Sequence, residues 1–191
     1  MNYELQEKQR YGRNKDTLIN NSFINSGEYR KKFDRISNDK ELNRMIYQIA
    51  KKMLNHRSGT MLEDMYWIDL DSLQIVAAET TQTEERTIKY SQATRRAISK
   101  YKHLLVIHTH PESMPPSIGD FNSALKNKYQ ICLVCCHDGK IYIYNSKNYI
   151  IELFYRHTVA KYRKRLLSEF DAQICALEEL QRTGDISFEE V

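Results

Sequence analysis

The segment His108-Thr109-His110-Pro111-Glu112-Ser113-Met114-Pro115-Pro116-Ser117-Ile118-Gly119-Asp120 holds residue types at a spacing suited to metal chemistry. Alternate residues of an extended chain project to one side, so His108 and His110 can aim both imidazoles at a single ion. A strand end is a rigid mounting for them. The prolines turn the chain, and Asp120 in the first turn of a following helix can return a carboxylate. Two imidazoles and one carboxylate are three protein ligands. They leave the fourth position of a tetrahedral Zn2+ to water, the arrangement that separates catalytic from structural zinc. Zinc lowers the pKa of such a water to about 7. A nearby carboxylate can carry its proton to a leaving amine, and a donor must stabilise the oxyanion. The same residues have a plain structural reading. His110-Pro111 can end a strand, and Ser117-x-x-Asp120 can cap a helix. The two readings are compatible, because a cap fixes the geometry that a ligand needs.

The elements that must position this segment follow from patterning. Asn38 with Glu41 forms a capping box. Leu42, Met45, Ile46, Ile49, Met53 and Leu54 then keep helical spacing on one face, up to a break near Gly59. Residues 63–69 alternate and read as a strand, followed by a turn at Asp71-Ser72 and a second strand over 73–78. A polar loop over 80–88 precedes a short helix near 91–101. His103–Ile107 is a short apolar strand running into the histidines, and residues 118–127 are expected to be helical. Residues 129–136 and 140–144 form a hairpin around Asp138-Gly139, and residues 149–154 suggest another strand. Val159, Tyr162, Leu166, Phe170, Ile174 and Leu177 predict one last long helix whose apolar stripe needs a partner surface.

The chain has 191 residues, enough for one core and too few for two. Its balance of 41% apolar and 28% charged residues is that of a soluble protein. No apolar run approaches a bilayer span, the N-terminal residues lack a signal h-region, and no lipidation motif is evident. A cytoplasmic protein without a membrane partner is expected. Residues 1–37 read as an N-terminal arm, extended over 1–27; residues 38–155 form the core; residues 156–191 form an amphipathic helix and an acidic tail. Helices alternating with strands around one sheet give an α/β or α+β class. Of the cysteines, Cys132 and Cys136 should face one side of a strand and Cys135 the other; with Cys175 they read as reduced thiols. His137 reads as a surface residue, and His56, His103 and His157 lack a partner at ligand spacing. Trp67 reads as core. The net charge of +4, with a basic excess in the first 60 residues, is weak support for a nucleic-acid or acidic partner. Lys161-Tyr162-Arg163-Lys164-Arg165 reads as a solvated helix face.

An apolar strand, HTHP, a Pro-Ser loop and Ser117-x-x-Asp120 together resemble the JAB/MPN, or JAMM, zinc metalloproteases. The stretch from the second histidine to the aspartate is one residue shorter than in the most familiar members, as in bacterial and phage relatives. The resemblance implies a cytidine-deaminase-like fold: a mixed, curved central sheet flanked by helices, with zinc at one edge. It implies His108, His110 and Asp120 as ligands of one zinc per chain, and Ser117 as oxyanion donor. It also implies a glutamate base at the start of an early core strand. Glu63, which opens EDMYWID, fits that place; Glu79 is the alternative. Glu84 and Glu85 lie in a polar loop and read as solvated, and Glu112 is set aside as a loop residue. Hydrolysis of a peptide or isopeptide bond is implied, with a protein or peptide substrate such as a ubiquitin-like C-terminal tail. Residues 10–150 more loosely resemble JAB-like domains of phage minor head-morphogenesis proteins. Two rival functions follow: a structural module of a phage or mobile element that self-associates through the C-terminal helix, and a RadC-like nucleic-acid-associated protein.

Overall fold

The computed structural model describes residues 15–191. After a 3-10 turn at Lys15–Thr17 come helices α1 (Asn21–Ile24), α2 (Gly27–Phe33) and α3 (Lys40–Arg57). Strands β1 (Met65–Asp69) and β2 (Gln74–Glu79) lead to α4 (Gln92–Ile98), β3 (Leu104–His110) and α5 (Ile118–Asn127). Then follow β4 (Ile131–Cys136), β5 (Ile141–Ser146), α6 (Glu152–Arg163), α7 (Glu169–Thr183) and β6 (Ile186–Glu190). The six strands form one mixed sheet in the order β2-β1-β3-β4-β5-β6. β3 and β4 run parallel and every other neighbouring pair is antiparallel.

The parallel pair dictates where a site can form. A parallel neighbour needs a crossover, and α5 supplies it between β3 and β4. Its N-terminus therefore returns to the carboxyl end of β3, the side on which open α/β sheets place ligands. All of β1 and β3 is buried, as in strands covered on both faces. On one face Tyr66, Ile68, Leu105, Ile107, Leu133 and Cys135 pack under α1, α2 and α3. On the other, Trp67, Val106, Cys132, Val134 and Cys136 pack under Phe121 of α5 and Leu177 of α7. The three strand cysteines thus divide between the faces as their alternation requires, and all four are free thiols. Trp67 is fully buried, and its indole N–H donates to Tyr129 Oη at 2.9 Å.

Several elements differ from the sequence expectation. The extended arm expected over 1–27 is, in its described part, a 3-10 turn and short helices. Asn20 caps α1 and Ser26 caps α2. Ile24, Tyr29 and Phe33 join the same core cluster as α3, so the arm and core expected on either side of residue 38 share one interior. Residues 1–14 of the expected arm lie outside the described residues. The cap of α3 is Asp39 rather than Asn38: its carboxylate accepts from Glu41 N and Leu42 N. The strand expected over 149–154 is the entry to α6. Its alternating residues are exposed, and only Ile150 enters the core.

The single long C-terminal helix is two helices. Leu166, counted in the apolar stripe, sits at φ 63° and is 96% exposed. Ser168 restarts the chain by capping α7 through Asp171 N. The acidic tail is β6, whose Ile186 is buried and which pairs with β5. Among the described residues no helix is long and apolar enough to cross a membrane.

Candidate metal centre

His108 and His110 are the last inward-facing residues of β3. They share a face with Val106, and both are buried. Their Nε2 atoms stand 3.1 Å apart. Asp120 is the third residue of α5. Its Oδ1 lies 3.3 Å from His108 Nε2 and its Oδ2 3.5 Å from His110 Nε2. Zinc bonds of about 2.05 Å would make the edges of a ligand tetrahedron about 3.3 Å. The three observed separations fall around that length, so this donor set can hold a metal ion.

Local chemistry fixes each ligand. Met114 O can only accept, so His110 Nδ1, 2.9 Å away, carries the proton and Nε2 is the nitrogen turned to Asp120 and His108. The His108 ring packs edge-on against Tyr144, with centroids 6.1 Å apart; its Nδ1 is buried and, among the described residues, has no hydrogen-bond partner. Asp120 is set by a capping box. Ser117 Oγ accepts from Asp120 N at 3.2 Å, while Asp120 Oδ2 accepts from Ser117 N at 2.7 Å. Ser117 Oγ also donates to Asp120 Oδ2 at 2.7 Å. The cap and the ligand are therefore one device: the bonds that start α5 also orient the carboxylate. They leave one of its oxygens, Oδ1, outside the box.

The charges of the triad are strongly linked. Burial alone would raise the Asp120 carboxyl, but His108 and His110 outweigh it and hold it well below the usual carboxylate range. Burial likewise opposes charge on His110, yet the hydrogen bond and charge of Asp120, with Glu63 adding to them, push it up to about 9. At pH 7 the metal-free His110 is then protonated, whereas a metal ligand must offer a bare nitrogen. Loading the metal-free protein with zinc at pH 7 is expected to release about one proton per ion from this residue. The share released by His110 should fall away as pH rises through about 9, its folded-state pKa. Titration calorimetry in buffers of different ionisation heat reads the proton count, and a zero count at pH 7 would contradict a charged His110.

Glu63 stands just before β1. Continuing the register Met65↔His108 upstream sets it across from His110. It is buried, borders the same cleft as His110 and Asp120, and burial raises its carboxyl above the ordinary value, with His110 and His108 opposing. Its backbone is stitched in place. Asp64 N donates to Thr109 Oγ1 at 3.0 Å and Thr109 N to Asp64 O at 3.1 Å, between the two histidines. On the opposite face, Asp64 pairs with the fully buried Arg57 (2.6 Å) and with His56 (2.7 Å). Breaking a buried pair of this kind costs about 3–5 kcal/mol, so the segment carrying Glu63 is rigidly based.

The other sequence candidates have different surroundings. The Glu79 carboxylate accepts from Thr94 Oγ1 at 2.5 Å and Ser91 N at 2.7 Å, and so anchors the start of α4. Burial would raise it, but these bonds lower it below the ordinary value. Glu84 pairs with Lys89 in the loop, and Glu85 is exposed. Glu112, set aside on sequence, borders the cleft and pairs with Arg86. His137, read as a surface residue, is buried; its Nδ1–H donates to Thr17 O at 2.7 Å. That cover arrives from 120 positions away, which no local pattern announces.

The cleft beside the triad measures about 890 Å³. Glu63, His110, Ser117 and Asp120 border it, together with Arg86, Tyr90 and Glu169. Arg86 and the carbonyl of Met114 were missed by sequence reasoning. The first sits in an unpatterned polar loop, and the second acts through its backbone. Comparison with protein-family models, with curated proteins and with solved structures found no match for this chain.

Proposed function

We propose that the chain is a zinc metallopeptidase of the JAB/MPN type, hydrolysing a peptide or isopeptide bond. The observation that carries this reading is the convergence of His108, His110 and Asp120 with a buried carboxylate, Glu63, on one open cleft. A structural site would close the ion with a fourth side chain, and the described residues group only three ligands there. The mixed sheet flanked by helices, with the triad at the end of β3, is compatible with the JAB-type fold. Bound by the triad, the ion supplies Lewis acidity and lowers the pKa of water toward about 7. Glu63 removes the proton of the attacking water and returns it to the leaving amine, a role suited to a carboxyl raised by burial. Ser117 borders the cleft, and its hydroxyl proton turns about the Cβ–Oγ bond from Asp120 toward the oxyanion. The substrate is a protein or peptide segment laid in the cleft, for which an exposed C-terminal tail such as that of a ubiquitin-like protein is the simplest form. Turnover of tail-fused fluorogenic peptides, lost on chelation and restored by zinc, tests the reading. Zinc-loaded protein inactive on a broad peptide set would sink it.

The exposed entry to α6 supports self-association. Tyr149 (72% exposed), Leu153 (70%) and Phe154 (68%) lie with Ile151 in one short run, and α6 buries no residue of its own. Exposed apolar side chains gathered in one run suit a protein contact, and we take a second copy of the chain as the proposed occupant. Sedimentation should show a dimer that Leu153→Ser with Phe154→Ser turns into a monomer, zinc content unchanged. A wild type that stays monomeric at high concentration excludes it.

A further inference from the structure

We propose that Arg86 is the carboxylate-recognition residue of the cleft, and that Glu112 holds its guanidinium until a substrate carboxylate takes Glu112's place. The inference rests on the peptidase reading above and names the substrate class it implies: a peptide with an acidic group close to the scissile bond.

Arg86 borders the same cleft as Glu63, and its charge is close enough to act on the Glu63 carboxyl. Its main chain is pinned by the bond from Arg86 N to Met61 O (2.9 Å), in the left-handed region at φ 54° that a non-glycine residue rarely adopts. The loop carrying it is tied at both ends. Gln82 bridges to the Lys89 backbone through Lys89 N (3.1 Å) and Lys89 O (3.1 Å). Thr80 O accepts from Arg57 and Ser91 N donates to Glu79, so the loop's two bases are bound to the scaffold. The guanidinium thus projects from a fixed mount, which makes it a pre-organised receptor for a planar anion.

Its present partner is different in kind. Glu112 belongs to the irregular connection between β3 and α5, and its carboxylate lies 2.6 Å from Arg86 Nη2. Both side chains are open to solvent, at 59% and 42%. An exposed pair of this sort contributes little to stability, so exchanging one carboxylate for another is nearly neutral in energy. Acidic groups otherwise prevail along the walls, with Glu63, Asp120 and Glu169 bordering the same space. Apart from the metal triad, Arg86 is the one Arg or Lys side chain among the described residues that border the cleft.

The test uses zinc-loaded Glu63→Gln protein, so that probes are bound and not consumed. Fluorescein-labelled alanine hexapeptides carrying one Glu or one Gln, each as C-terminal acid or amide, are measured by fluorescence anisotropy at low ionic strength. Carboxylate-bearing probes should bind roughly two- to fivefold more tightly than their neutral counterparts. Arg86→Gln should erase that preference and Arg86→Lys keep part of it. Glu112→Gln, by removing the competing carboxylate, should strengthen binding of the acidic probes and leave the neutral ones unchanged. A preference confined to the Glu probes assigns a side-chain carboxylate; one confined to the free acids assigns a chain terminus. No preference, or a preference that survives Arg86→Gln, overturns the proposal. Turnover by protein with Glu63 intact is scored separately: Arg86-dependent binding without hydrolysis leaves carboxylate recognition standing and sinks only the peptidase reading.

Discussion

Asp120→Ala is expected to give a folded protein that no longer retains zinc, its metal content falling from about one ion per chain to background in elemental analysis after dialysis. The argument is geometric and electrostatic. Without the carboxylate only two nitrogens remain, 3.1 Å apart, and the anion that lay against both of them is gone. Folding should survive because the rest of the capping box is independent of this side chain: Ser117 Oγ still accepts the backbone N–H at position 120. Losing the reciprocal half of the box and a first-turn acid costs on the order of 1 kcal/mol. Asp120→Asn is the sharper companion, since its side-chain oxygen can still accept from Ser117 N while the charge is gone. Zinc lost in both variants assigns the loss to the missing anion. Zinc retained at full stoichiometry in Asp120→Ala would mean that the third ligand is another group.

The triad could be read from the sequence because its determinants are local. An extended HxH segment points two imidazoles one way, and the capping box that places Asp120 is complete within Ser117-x-x-Asp120. Only the return of α5 over the end of β3 is tertiary, and a parallel crossover makes that return close to obligatory. Where the reading went astray, the deciding contact was distant. His137 is covered by Thr17, and the polar stretch before residue 27 folds because Phe23 packs over the turn glycine, Gly139, and Tyr29 packs on Phe33 and Tyr47. The alternation of Tyr149, Ile151 and Leu153 mimics a strand, but the sheet edge beside β5 is taken by β6. The split between α6 and α7 has a local signal, the Ser168-x-x-Asp171 cap, set inside an apolar stripe that by itself reads as one helix. Glu63 and Glu79 both stand at strand ends in the sequence; the register of β1 against β3 sets Glu63 across from His110, and the Glu79 carboxylate is engaged at α4.

That difference between the two glutamates sets the second large expected effect. Glu63→Gln should keep zinc at wild-type stoichiometry and lower kcat on the order of 10²–10⁴-fold, the span attributed to a positioned proton carrier. KM should move little, because an amide of equal size preserves the cleft and removes only the basic oxygen. The backbone beneath it is held by Asp64, Arg57 and Thr109, none of which the substitution touches, so the melting temperature should be close to that of the wild type. Glu79→Gln should do the reverse. Its carboxylate accepts from Thr94 and Ser91 at the start of α4, so neutralising it should weaken that helix start and lower stability, with kcat largely kept. The pH profile adds an independent sign. A base must be ionised to act, so activity should rise as pH climbs through the Glu63 pKa, which burial raises in the metal-free chain and the charge of bound zinc opposes, and the acid limb should disappear with Glu63→Gln. An active Glu63→Gln protein beside an inactive, fully folded Glu79→Gln protein would reassign the base. Residual turnover in both with the acid limb intact would instead place the proton on a group outside this pair.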